Sequence, residues 1–244
     1  MNILFIIGNG FDLNLGMKTK YSDFYEYYHL IHSHSTSINK LKDAVSNDFK
    51  NWSDLELALG KYTEKIESVK EFDEIFDDLG DNLADFLQKQ EYNFDFSKIE
   101  SKKLFNYLAF PENSLLQADK DKLNLYKRKW TNTHWSVNIT TFNYTHSLEK
   151  LIGDNQKDLL IGTHNGFNIM LQGVEHIHGY INDRMILGVN DVSQISNTSF
   201  HENPDILEAL VKSNCNQAHK HTIDDLCKQQ ISNMHIRFIN WRYR

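Results

Sequence analysis

The sequence predicts an α/β fold: a Rossmann-like, mostly parallel sheet flanked by helices, with a large helical insertion after its first strand. Three observations carry this. Ile3-Leu4-Phe5-Ile6-Ile7 is an unbroken apolar run of β-formers, which suits a strand buried on both faces inside a parallel sheet. Gly8-Asn9-Gly10 follows at once, and glycines there permit positive φ and close approach by another molecule. The next clear strand, Ser136 to Phe142, comes only after a long series of helical periodicities, where a plain βαβ unit would return much sooner.

Each element has its own signal. Phe11 to Leu15 reads as a first helical turn, with Gly16 ending or bending it. Tyr21-Ser22-Asp23-Phe24 caps a helix that continues through Tyr25, Tyr28 and Ile31. His29, His32 and His34 mark its solvated end; no acid or cysteine completes a metal-ligand set. Ile38 to Phe49 is a second helix. Ser53, with Glu56 three residues on, caps a third in the capping-box pattern. Lys65 to Gln90 is a long amphipathic helix on Val69, Phe72, Ile75, Phe76, Leu79, Leu83, Phe86 and Leu87, its acid run Asp73 to Asp81 a solvated face. Phe94 to Leu108 is a shorter helical pattern, and Leu115 to Trp130 is charged and ambiguous.

After the strand ending at Phe142, His146 to Ile152 is helical and Gly153 stops it. Leu159 to Ile161 is a short strand. Gly173 to Tyr180 alternates, which puts His176 and His178 on one side of a strand. Met185 to Asp191 is a further strand ending in a polar turn. Asp205 to Lys212 and Thr222 to Ser232 are helical, and His235 to Ile239 is a final short strand. The reading is one domain over residues 1–244, with the insertion at about 22–130.

Composition narrows the function. Apolar residues make up 40% of the 244 and aromatics 12%, enough for a substantial core. A net charge of −7 gives no electrostatic case for binding nucleic acid directly. The N-terminal apolar run is too short and lacks the basic flank of a signal peptide, and no stretch reaches membrane-spanning length. The two cysteines, Cys215 and Cys227, lie late in the chain. A cytoplasmic protein is the expectation.

Polar groups at predicted strand ends are the candidate site. Asn9 and Asp12 follow the first strand, Asn143 the second, and His178 the alternating one. In open parallel sheets that edge is where ligands bind. The glycine spacing is not the dinucleotide fingerprint, since the third glycine, Gly16, comes six residues after Gly10. Asp12 suits a helix N-terminus but repels a pyrophosphate, so it faces a ribose hydroxyl, a water or a cation, or simply caps a tight turn.

Four motifs in order, IIGNGFDLNLG…TKYSDF, WSDLE, ITTFNYTHSLEK and HIHGYIND…ILGVND, resemble the bacteriophage abortive infection family AbiH. That family is similar, more distantly, to sirtuin-like NAD-binding proteins. There a Gly-Ala-Gly turn, a Thr-x-Asn-Tyr/Ile-Asp segment and a His-Gly pair recur in the order of Gly8-Asn9-Gly10, Thr141-Phe142-Asn143-Tyr144 and His178-Gly179, with Thr145 in place of the Asp. The resemblance implies a phage-defence effector that binds NAD and hydrolyses its nicotinamide N-glycosidic bond, with no metal. It makes Asn143, His178 and Asp12 catalytic: the amide holds a ribose hydroxyl or the attacking water, the imidazole takes a proton, and the carboxylate faces the positive ribose–nicotinamide end. For binding it implies Gly8, Asn9, Gly10, Phe11 and Asp12 from the first motif, and Asp23 and Phe24 from its continuation. From the later motifs it implies Thr141, Gly179, Gly188 and Asn190. A nucleotide is the implied ligand, and a second copy of the chain or a phage-derived trigger the implied partner.

The tail departs from that pattern. A Gly/Ser-rich turn with a Thr-Asp pair is expected after the last strand, and Met234 to Arg244 instead carries Arg237, Arg242 and Arg244. Three other readings compete. One is a zinc site on His176 and His178, or on Cys215, His219, His221 and Cys227. Another is a sensor that holds NAD or ADP-ribose uncleaved. A nuclease is the weakest, for want of a compact carboxylate cluster.

Overall fold

A computed structural model describes residues 1–153, 157–183, 185–215 and 236–239. In chain order the elements are β1 (Asn2–Ile7), α1 (Gly10–Leu15), α2 (Tyr21–Leu30), α3 (Thr36–Asn47), α4 (Leu55–Tyr62) and α5 (Val69–Asn93). There follow α6 (Ser101–Ala109), α7 (Gln117–Lys127), β2 (Trp135–Thr141), α8 (Ser147–Ile152), β3 (Leu159–His164), β4 (Phe167–His176), α9 (Pro204–Leu210) and β5 (Ile236–Ile239). The chain divides into two compact units. The first comprises residues 1–17, 91–177 and 227–244, and the second 18–90 and 178–226.

The first unit holds the sheet, in the order β3-β4-β2-β1-β5. β1 pairs parallel with β2 and with β5, and β2 pairs parallel with β4. β3 runs antiparallel to β4. The sheet is therefore mixed, and the Rossmann-like expectation holds only as far as an open α/β sheet. The antiparallel pair follows from a tight hairpin: Asn165 and Gly166 both take positive φ (47° and 82°), which reverses the chain between the two strands. Ile3, Phe5 and Ile7 of β1 and Val137 and Ile139 of β2 form a core with Leu104 and Leu108 of α6 and Leu148 and Leu151 of α8. Leu4, which points to the opposite face of β1, is buried as well, and burial on both faces is why the continuous apolar run became a central strand.

The second unit is helical and aromatic. Phe24 stacks on Tyr28 with centroids 5.3 Å apart and meets Phe86 of α5 at 5.8 Å. Tyr25 donates to the Trp52 carbonyl at 2.8 Å, and Tyr28 to Asp78 at 2.5 Å. Phe72, Ile75, Leu79, Leu83, Phe86 and Leu87 are the buried stripe of α5, while Asp73, Glu74, Asp77 and Asp81 face water as expected. Among the described residues no helix is long and apolar enough to cross a membrane.

Three expectations are corrected. The cap of α4 is Asp54, whose carboxylate accepts from Leu57 N–H at 3.1 Å; Ser53 belongs to a short 3-10 turn. Residues 185–191 are not a strand. Ile186, Leu187 and Val189 are buried, but Val189 only bridges Val211, so the apolar pattern is satisfied by packing without a ladder. His176 and His178 do not share a strand face, because β4 ends at His176 and Gly179 takes a positive φ of 68° that turns the chain. The helix expected at Thr222 to Ser232 lies outside the described residues.

Gly188 presses on backbone: an added Cβ would lie 2.1 Å from the Leu210 carbonyl oxygen, which itself accepts from Val189 N–H at 2.7 Å. The Gly188→Ala variant should lose on the order of 2 kcal/mol of stability, and thermal unfolding should drop by about 2–4 °C per kcal/mol. An unchanged midpoint would show that the glycine is not there for packing.

Candidate functional site

Three parallel strands of the first unit end in register. Ile7 of β1 pairs with Thr141 of β2, and Thr141 with His176 of β4. The ladder runs one step past each end, with Phe142 N–H donating to the Ile7 carbonyl and Ile177 N–H to the Thr141 carbonyl, both at 3.0 Å. The turns after these strands therefore emerge side by side. β1 is flanked by β2 and by the late strand β5, so the chain departs on one side of β1 and returns on the other. The carboxyl edge beside such a reversal is where open α/β sheets present a crevice.

The turn after β1 is tight. Phe11 N–H donates to the Gly8 carbonyl at 2.9 Å, and the Phe11 ring is wholly buried. An added Cβ on Gly8 would meet nothing within 4 Å, so the space beside it is open. Asn9 is exposed. α1 ends as the sequence implied: Gly16 takes φ 96° and returns its N–H to the helix.

Asp12 is 1% exposed. One carboxylate oxygen accepts from the Thr145 hydroxyl at 2.5 Å, and the other accepts from the Ser147 hydroxyl. This buried bridge ties the turn after β1 to the turn after β2. Burial pushes the Asp12 carboxyl above its usual range, against the pull of Ser147, Thr145 and Asn143, and the Glu91 charge adds to the upward push. Thr145, which stands where the resemblance expects an acid, is thus the partner of one. A second acid here would sit against a buried carboxylate.

Asn143 is 5% exposed. Its main-chain N–H donates to Thr141 Oγ1 at 3.1 Å, and its carbonyl accepts from His176 Nδ1 at 2.8 Å. Its side chain is different. The amide is close enough to help hold Asp12 ionised, yet it falls outside hydrogen-bond geometry. Both Nδ2 and Oδ1 are buried without a hydrogen-bond partner among the described residues. Leaving such groups unpaired is costly, on the order of 1–3 kcal/mol each.

Sequence reasoning named His176 as a candidate zinc ligand beside His178 and did not assign it to this site. It lies at the end of β4, and its Nε2 meets Glu149 Oε1 of α8 at 2.7 Å. Burial opposes a charge on this ring, but Glu149, the Asn143 carbonyl and Glu175 together raise its pKa above the usual value. Nearby, Glu91 accepts from His146 N–H and from Lys150 Nζ, the latter at 2.8 Å. Burial disfavours the Glu91 charge, yet these donors hold its carboxyl below the usual range. The signal for His176 was available: a glycine that must turn at 179 ends the strand early.

The other candidates lie in the second unit. His178 has its pKa pushed down to about 4 by burial and by Lys212, so it is neutral at physiological pH. Asp23 accepts from Lys20 N–H at 3.2 Å, and Phe24 is core. Gly179 sits in the turn after β4, Gly188 against the Leu210 backbone, and Asn190 N–H donates to Gln194 at 2.8 Å. A cavity of about 310 Å³ is bordered by His29, His32, Ser33 and Lys42. Its one buried cation, Lys42, is spent on the Ile31 carbonyl at 2.5 Å and the Tyr28 ring at 4.3 Å. Cys215 is a buried free thiol, and His219, His221 and Cys227 lie outside the described residues.

The raised Asp12 pKa carries a stability prediction. Folding favours the protonated form, so its contribution is full below the ordinary aspartate range and is lost as pH rises through the folded value. Relative to wild type, Asp12→Asn should gain on the order of 1 kcal/mol as pH goes from about 4 to 8. Thermal unfolding across that range checks it, and a pH-independent difference would contradict the assignment.

A search of curated proteins found no match. The family description "Bacteriophage abortive infection AbiH" matches residues 4–237, which include most of β1, Asp12, the Asn143 segment and the end of β4. The chain therefore belongs to the bacteriophage abortive infection AbiH family, which indicates a role in abortive infection.

Proposed function

We propose that this abortive-infection protein binds NAD at the carboxyl edge of the first unit's sheet and hydrolyses its nicotinamide N-glycosidic bond. The observation that carries the reading is the Asn143 amide just past the end of β2, buried without a hydrogen-bond partner among the described residues. A buried amide with both ends unsaturated is suited to a ligand that offers donors and acceptors together, as a ribose and a water do. Asp12 supports the choice of ligand end. A buried carboxylate repels a phosphate but favours the cationic nicotinamide ribose.

The chemistry asks little of the protein. Water oxygen bonds to the ribose carbon as the bond to nicotinamide breaks, and nicotinamide departs as a neutral pyridine. ADP-ribose and one proton complete the balance. The transition state is oxocarbenium-like, so orientation of water by Asn143 and negative charge at Asp12 supply the catalysis. The role of proton acceptor given to His178 by the resemblance is read by its own variant, independently of this unit's geometry.

One observation favours a second reading. His176 has both ring nitrogens turned to acceptors, so it has no lone pair to offer as a base. With His176 unable to act as a base, the second reading is a sensor that holds NAD or ADP-ribose uncleaved.

Nicotinamide release and calorimetric NAD binding should be measured together. Wild type is expected to release nicotinamide, with Asn143→Ala slower by about 100-fold or more and His178→Ala also impaired. Equal rates in all three would remove these roles. Binding without release would select the sensor.

A further inference from the structure

The main chain of Asn143 is fully tied, while its side-chain amide has no partner among the described residues. Its N–H is held by Thr141 and its carbonyl by His176. His176 is held in turn from the far side by Glu149. We propose that His176 is a positioning residue, a clamp between α8 and the end of β2 that fixes the segment Phe142 to Thr145 and so aims the Asn143 amide. This deepens the reading given under Proposed function and rests on it only for what the amide is aimed at.

The clamp works through its protonation. Both ring partners are oxygens without a proton to give, a carboxylate and a main-chain carbonyl. Two N–H groups are needed to satisfy them, and only the imidazolium has two. The side chains of His176 and Glu149 are 5% and 12% exposed, so water cannot substitute for a lost bond. When the ring gives up a proton, one nitrogen turns a lone pair toward an oxygen, and the carbonyl of Asn143 is the partner with a turn that can move. The titratable groups around the ring are Glu149 of α8, Glu175 of β4 and His146 just before α8. His146 is itself joined to Glu91 of α5. Negative charge prevails there, which favours the protonated clamp at neutral pH.

The site then acquires a pH limit that comes from orientation and not from proton transfer. Above the His176 midpoint the amide loses its aim while the fold remains. Catalytic turnover should fall with KM little changed, and the fall should follow His176.

The test uses the full chain, with nitrogen-15 NMR of the imidazole rings and hydrogen exchange of residues 142–145 from about pH 5 to 9. His176 should carry protons on both nitrogens at pH 7 and titrate above ordinary histidine. Exchange in the segment should accelerate about 10-fold or more through that same midpoint. Glu149→Gln should move both transitions down by about one pH unit or more, and His176→Gln should abolish the pH dependence. If His176→Gln does not fold, the wild-type titration and Glu149→Gln decide. A His176 neutral at pH 7, or exchange indifferent to its titration, overturns the clamp. These readouts need no NAD, so a wild type that releases no nicotinamide would count against the proposed function alone. Where release is seen, its pH profile must shift with Glu149→Gln, and an unshifted profile also overturns the clamp.

Discussion

A carboxylate taken out of water sets the terms for the first unit's edge. Asp12 is charged or protonated in a place where either state needs donors, and Thr145 and Ser147 come from the turn after another strand to supply them. That demand joins the turn after β1 to the turn after β2. The in-register ends of the strands bring the two turns together, and the buried hydroxyl bridge locks them. Neither feature suffices alone: strands fix backbone, and the bridge fixes which side chains face inward.

Around that lock the polar groups are arranged unequally. Asp12, Glu91 and His176 each have partners within the unit. Asn143 has its backbone anchored twice, and its amide has no partner among the described residues. An isolated turn would relax until such an amide found a partner. It does not relax here because Thr141 and His176 hold the main chain on either side. The unsatisfied group is the mark of a surface shaped for something other than its own stability.

Much of this was legible in the sequence, for physical reasons. A five-residue apolar run rich in isoleucine and closed by glycine is too short for a helix and suits a buried strand with a tight turn, so β1 and the Gly8 turn were readable. The buried stripe of α5 was readable because 3.6-residue periodicity survives in any packing. The cap of α4 slipped by one residue because serine and aspartate are both good caps, and only backbone conformation chooses between Ser53 and Asp54. The choice between His176 and His178 was not readable from alternation, which says which way side chains point and not where a strand stops. The segment 185–191 has strand chemistry but packs against the Leu210 backbone, a constraint that composition does not encode. The interleaving of two units leaves no linker signature at its joins, since one falls inside α5 and another one residue after β4.

The central claim is that the Asn143 amide is a ligand group at the carboxyl edge of β1, β2 and β4. A crystal structure of the full chain with NAD tests it most directly. The account predicts the ribose–nicotinamide end beside Gly8, with a hydroxyl or a water about 3 Å from the Asn143 amide. NAD seated elsewhere, or an amide already paired with the protein's own atoms, would contradict it.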